Sequence, residues 1–383
     1  MTRTRILSWW KDPSAARSHR TAVSLHSHTL YSHEMLAFVP RFMRKLTFFG
    51  ETMADDNHLC RAWTGGDSDI TRFWWTPPLG PLQAWRLEES QIANRLDSAA
   101  LVSITDHDSI EAPMMLRILD ETRFAPISVE WTVPYGGTFF HLGMHNLPWR
   151  SARSVFAEMA ALTRQPDQAK LAAILHGLSA DPDVLIVFNH PLWDEKGIGK
   201  PAHRKIAEQF LASHRGCIHA LEWNGFRTFR ENASVGEMAE AYGLPVISGG
   251  DRHGREPNSN LNLTNAATFP EFVREVRRDG VSEVLLMPQQ REHLALRFLR
   301  AVCDIVREDP QHGMGWTKWP ERIFYLGDDG IAQPVSVVWG ERRAPRLLSG
   351  LVKSLQQVDR LLAHPRLRAA LGWRTPDEEE ASL

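Results

Sequence analysis

Residues 21–33 read TAVSLHSHTLYSH. The short apolar run 22–25 ends in two histidines two positions apart, His26 and His28, with His33 just beyond. Side chains at i and i+2 of an extended chain point to one side, so both imidazoles project together from a strand end. The same arrangement recurs along the chain. The run 99–104 leads into Asp106, His107 and Asp108, and 127–129 leads into Glu130. The run 184–188 leads into Asn189 and His190, 218–221 into Glu222, and 245–248 into Asp251, Arg252 and His253. His141 lies in a further run, 138–142, which Gly136 and Gly137 set off as the second arm of a hairpin.

Segments of helical periodicity, 110–122, 151–162, 201–214 and 231–242, lie between these runs. The alternation from about residue 21 to 280 predicts an α/β sheet or barrel. In α/β barrels the carboxyl ends of the strands form one rim, so groups distant in sequence converge there. Imidazole and carboxylate donors suit zinc, manganese or iron. A carboxylate such as Glu130 can bridge two cations, and paired cations activate water. Glu222 and Asn224 follow a strand, so they face the same rim as substrate contacts or as packing groups.

The chain has 383 residues, with 44 basic against 46 acidic. The net charge of -2 disfavours a strongly basic nucleic-acid binder. Cys60, Cys217 and Cys303 are too far apart to suggest a disulfide framework or a zinc ribbon. With no signal-like segment and no apolar run of membrane length, a cytoplasmic location away from membranes is expected. The rhythm breaks at about 44–90, a long insertion after the first strand that holds His58, Trp63, Trp74, Trp75 and Trp85. It reads as a lid or substrate wall. After 285 come a helical stretch 289–308, two strands 322–326 and 335–339 joined through 327–330, an amphipathic helix 343–362 and an acidic tail 376–383. The expected organisation is a barrel over 1–285 and a mostly helical appendage over 286–383, whose long helix could pair with a second subunit.

Taken in order, 25–29 (LHSHT), 104–108 (ITDHD), Val129-Glu130, 140–143 (FHLG), 189–191 (NHP) and 250–253 (GDRH) resemble the motifs of the PHP (polymerase and histidinol phosphatase) family, over about residues 22 to 280. The resemblance implies a distorted (β/α)7 TIM-like barrel carrying two or three divalent metal ions and hydrolysing phosphate esters. Carried over, His26, His28, Glu130 and Asp251 hold one ion, and Glu130, His141 and His190 a second. His33, His107 and His253 hold a third, or support the others if two bind. His33 stands where the family often has aspartate, and Arg252 where a small residue is more usual.

The reading that follows is a metal-dependent phosphoesterase using a metal-activated hydroxide, acting on a small phosphorylated substrate. A nucleic-acid end is chemically allowed but not indicated by the net charge. His107, His253 or Asp106 would handle the proton, while Arg252, Arg255, Glu222 and Asn224 would contact substrate. Two alternatives stand beside it: metal-dependent hydrolysis of an amide or lactone, and a non-catalytic interaction module of the kind found in DNA polymerases. Trp131, Trp193 and Trp223, beside motif residues, read as core packing rather than base-stacking platforms.

Overall fold

The computed structural model describes residues 3–36, 72–339 and 346–362. The part of the insertion before residue 72, with His58, Cys60 and Trp63, and the acidic tail lie outside the described residues.

The fold is mixed α/β. Its strands are β1 (Arg3–Ser8), β2 (Thr21–Ser24), β3 (Glu34–Met35), β4 (Phe73–Trp75), β5 (Ala99–Val102), β6 (Val129–Tyr135) and β7 (Thr138–His145). Then follow β8 (Leu185–Asn189), β9 (Ala220–Asn224), β10 (Val246–Gly249), β11 (Asn260–Thr264), β12 (Val281–Leu286), β13 (Ile323–Leu326) and β14 (Ala332–Pro334). One sheet runs β1-β12-β11-β2-β5, a second β10-β9-β8-β7-β6, and a third β14-β13-β4-β3.

The first two sheets touch at the place that matters most. His107, just past β5, bridges in parallel to Glu130 at the start of β6. The Glu130 amide donates to the Asp106 carbonyl at 3.1 Å, and the Asp108 amide donates to the Glu130 carbonyl at 2.9 Å. Across the site Ser27 bridges to Arg252, and the Gly250 amide donates to the Leu25 carbonyl at 2.9 Å. The ends of β2, β5, β6 and β10 therefore converge.

Several sequence expectations are corrected. The two main sheets contain ten strands in all, and no single hydrogen-bonded ring of strands is found among the described residues. β7 and β11 run antiparallel to both neighbours. β1, β11 and β12 escaped notice because they interleave polar residues. Those of β11 are buried and held by distant partners: Asn260 donates to the Trp223 carbonyl at 2.7 Å and Asn262 to Ser248 Oγ at 2.7 Å. Glu130 sits at the entry of β6, not at a carboxyl end, because the hairpin reverses the chain there. Its turn has Gly136 and Gly137 both at positive φ, 58° and 84°, as a two-residue hairpin turn of this hand requires.

The insertion also ends earlier than its Trp and Pro content suggested. Pro81–Leu96 is a helix, started by a proline in its first turn and by the Gln83 side chain accepting from the Gly80 amide at 3.0 Å. In the C-terminal part β13 pairs with β14, whereas Val335–Trp339 is helical. The Gly327–Gly330 turn closes quickly, so the returning strand is used up by Pro334. Val335 and Trp339, four apart, then bury one helical face.

The third sheet joins distant stretches. β4 pairs with β3 on one side and β13 on the other. Leu36, Phe73, Trp75, Val306, Trp319, Ile323, Val335 and Trp339 share one apolar cluster. The main core is built around Trp131, Phe140, Leu142, Phe188 and Phe210. Trp131 is fully buried and donates to Thr163 Oγ1 at 3.0 Å, a packing role. Trp223 is buried in the same core, and Cys217 and Cys303 are buried free thiols. No described helix is long and apolar enough to cross a membrane.

Candidate metal centre

The Glu130 carboxylate is the hub of the convergent strand ends. It is fully buried, and its two oxygens face different histidines. Oε2 lies 2.9 Å from His26 Nε2, 3.2 Å from His107 Nδ1 and 3.4 Å from His28 Nε2. Oε1 lies 3.1 Å from His190 Nε2 and 3.6 Å from His141 Nδ1, and accepts from Asn189 Nδ2 at 2.9 Å. Asp251 Oδ1 approaches His26 and His28 at 3.6 and 3.5 Å.

Among the described residues three overlapping groups could hold metal ions: His26, His28, Glu130 and Asp251; His107, Glu130 and His141; and His28, Glu34, His107 and His253. Glu34 belongs to the third group and was missed in the sequence. Its Oε2 lies 2.9 Å from His253 Nε2 and 3.5 Å from His107 Nε2. His33 is outside all three groups. β3 alternates its faces, so Glu34 turns inward and Met35 outward, while exposed His33, just before the strand, borders the cavity and rests on the Trp74 ring, 5.3 Å between centroids. An acidic residue beside a histidine, on an extended strand, was the available signal.

The donor set fits a cation on hydrogen-bonding grounds. Ser32 Oγ donates to Glu34 Oε1 at 2.5 Å, and accepts from the His107 amide at 2.9 Å. With its proton so used, Ser32 Oγ accepts from His28 Nδ1 at 3.2 Å. That assignment leaves His28 Nε2 with a lone pair. This nitrogen is buried with no hydrogen-bond partner, facing carboxylate oxygens of Glu130 and Asp251. A lone pair set against two anions is repulsive without a positive charge between them.

The electrostatics agree. Burial, with cationic His253 and His107 nearby, pushes His28 down to about 3 and keeps it neutral. Burial works against charge on Glu130, yet His26, His107 and His141 hold its carboxyl well below the usual range. Asp251 and Glu34 are held low in the same way against their burial. Three ionised carboxylates in one buried cluster make a strong cation trap.

The surrounding residues hold the donors. Glu222 Oε1 sits 2.5 Å from His26 Nδ1, and Oε2 accepts from the His190 amide at 2.8 Å. Asn224 Nδ2 links Glu222 to Asp251 at 2.9 and 3.1 Å. Both face inward to donors rather than to the cavity. Glu222 needs Gly249 beside it, since a Cβ there would fall 1.6 Å from Glu222 Oε1. Asp106 is also buried, accepting from the Thr29 amide and hydroxyl at 2.5 and 2.7 Å, so it secures the turn after His28. Burial raises its carboxyl to about 7 despite those bonds. His26, His190 and Asp251 take left-handed backbone angles, φ 62°, 27° and 53°. Non-glycine residues adopt these rarely, and they cluster at functional sites.

Two expected substrate contacts point elsewhere. Buried Arg252 spends its guanidinium on Glu88 at 2.8 Å and on the carbonyls of Gly254 and His28 at 2.9 and 3.2 Å. Arg255 pairs with Asp309 at 2.6 Å. Arg227, which the sequence did not single out, does reach the cavity above the donors. Its guanidinium stacks 4.1 Å over the Trp193 ring, with NH2 3.7 Å from Asp251 Oδ2. His145, four residues beyond His141 on β7, is buried outside the three groups and bonded to Ser103 Oγ at 2.8 Å.

No family model and no curated protein matches the chain. Among solved structures it is similar to PsfC from Pseudomonas syringae, at 13% identity over 73% of this chain and 96% of that one, TM-score 0.41. An amidohydrolase from Chromobacterium violaceum is 14% identical over 46% of this chain and 84% of that one, TM-score 0.32. A protein described as a metal-dependent phosphoesterase, from Bifidobacterium adolescentis, is 16% identical over 52% and 91%, TM-score 0.33.

Proposed function

We propose that the chain is a metal-dependent hydrolase of phosphate esters, built on a distorted barrel of the PHP type. The observation that carries this reading is Glu130, whose two oxygens each face a separate set of imidazoles. A bridging carboxylate of this kind suits two or three zinc, manganese or iron ions held close together. Bound there, the ions supply positive charge for phosphoryl oxygens and lower the pKa of water.

The chain's own groups do the rest. Arg227 binds a phosphoryl oxygen from the side of the cavity, in place of Arg252 and Arg255. Water adds to phosphorus, the P–O bond to the alcohol breaks, and the departing oxygen takes a proton. His253 and His107 line the cavity and are within reach for that transfer. Glu222, Asn224 and Asp106 position the donors and the turn that carries them.

The test is metal content by elemental analysis, followed by a phosphomonoester and phosphodiester panel run beside amides and lactones. Two or more ions per chain with phosphoester turnover is the expected result, and Glu130→Gln loses both. Amide or lactone turnover without phosphoester turnover transfers the reading to that chemistry. A metal-free, inactive protein points to an interaction module.

A further inference from the structure

The cavity above the donors encloses about 460 Å³ and has two unlike halves. Its floor is formed by Glu34, His107, His141, His190, Asp251 and His253. Most of the remaining lining is an apolar wall, with Trp75, Phe139, Phe226, Phe298, Val302 and Ile305, and the polar Asp108, Thr132 and Glu195 interrupt it. Among the described lining residues Arg227 is the one guanidinium or ammonium.

This wall is fixed in place. The helix Leu294–Val306 presents Phe298, Val302 and Ile305, at i, i+4 and i+7, as one stripe into the cavity. Its other side is bolted to the site loop. Arg297 donates to the Gly225 carbonyl at 2.6 Å, the Arg255 amide donates to Asp304 at 2.8 Å, and Arg300 pairs with Glu256 at 2.5 Å. Trp75 is backed by the pairing of β4 with β13.

We infer that the substrate is a phosphoester whose alcohol part is a compact apolar group of about aromatic-ring size, not a sugar or nucleoside phosphate. The inference rests on the phosphoesterase reading above. The donor floor takes the phosphate, which places the alcohol part against the wall. Sugar hydroxyls set against those six side chains would lose their water without regaining hydrogen bonds, whereas an apolar ring would bury against apolar carbon. The volume suits a small ligand and is at the low end of ordinary ligand sites.

The experiment measures affinity rather than turnover. Metal-loaded protein is titrated calorimetrically with benzylphosphonate, 2-hydroxyethylphosphonate and benzamide. Benzylphosphonate should bind at least tenfold tighter than the hydroxyethyl compound. Phe298→Ser should narrow that gap at least threefold. Val302→Thr, a smaller change of shape, serves if the first variant does not fold. Equal affinities, tighter binding of the hydroxyethyl compound, or no binding of either phosphonate overturns the inference. Failure of the phosphoesterase reading looks different: benzylphosphonate then binds no tighter than benzamide, while both outbind hydroxyethylphosphonate.

Discussion

Ser32 Oγ lies 3.2 Å from His28 Nδ1 and donates its own hydrogen bond to Glu34. One hydroxyl thus sets which nitrogen of His28 faces the carboxylates and also orients a carboxylate of the neighbouring group. Ser32→Ala removes that control without removing a donor. The expected outcome is metal affinity weakened by roughly 10–100-fold, the usual effect of losing a partner that orients a ligand. Competition with a chelator of known affinity measures it, and unchanged affinity would sink the assignment.

Gly249→Ala tests the support beneath His26. The new Cβ would overlap the Glu222 carboxylate, so Glu222 must move and release both the His26 imidazole and the His190 amide. Overpacking of this kind costs about 1–3 kcal/mol. Chemical denaturation should show that loss, and elemental analysis should show metal lost with it. A variant with full metal content would mean that Glu222 does not hold the donors.

Arg252→Met separates structure from substrate binding. Arg252 pairs with Glu88, and both are buried. Removing one partner of a buried ion pair is destabilising by about 3–5 kcal/mol. Pairing the change with Glu88→Gln should restore much of that stability, and KM of the refolded double variant should stay close to wild type. A large rise in KM at normal stability would return Arg252 to the substrate.

His219 makes a pH prediction away from the metal groups. Its Nδ1 accepts from the Ile186 amide at 2.9 Å, and burial, with Arg277 nearby, pushes it from 6.5 to about 3. The folded state therefore resists a proton that the unfolded state accepts. The neutral His219 contributes fully above pH 6.5, and its contribution is lost as pH falls toward 3. At pH 5 the loss is about 2 kcal/mol, taking 1.36 kcal/mol per pH unit below 6.5. His219→Asn keeps an acceptor without a titrating ring, so its stability should fall less between pH 7 and 5. Equal slopes in urea melts across that range would refute it.

What was legible in the chain, and what was not, follows from how each feature is encoded. Strand-end convergence indicated that His26, His28, Glu130 and Asp251 should meet on one rim, and the resemblance to the PHP family grouped them as one ligand set. Glu34 was invisible because a two-residue strand has no periodicity of its own, and only its pairing with β4 decides which side chain turns inward. β11 was missed because its buried asparagines are stabilised by partners far away in sequence. Arg252 reads as a cavity residue and Arg227 goes unnoticed for a similar reason. Which arginine is consumed by a buried carboxylate depends on Glu88, more than 150 residues from Arg252.

The sharing of one sheet by β3, β4, β13 and β14 has a practical consequence for anyone trimming this protein. A truncation after residue 285 keeps every candidate donor and so looks like a minimal version. It would instead strip β13 from β4, leaving an edge with Trp74 and Trp75 and no covering strand, the kind of surface that invites aggregation. The same cut takes away the helix opposite the donors, so whatever survived would be a metal trap open to bulk water, with its selectivity gone.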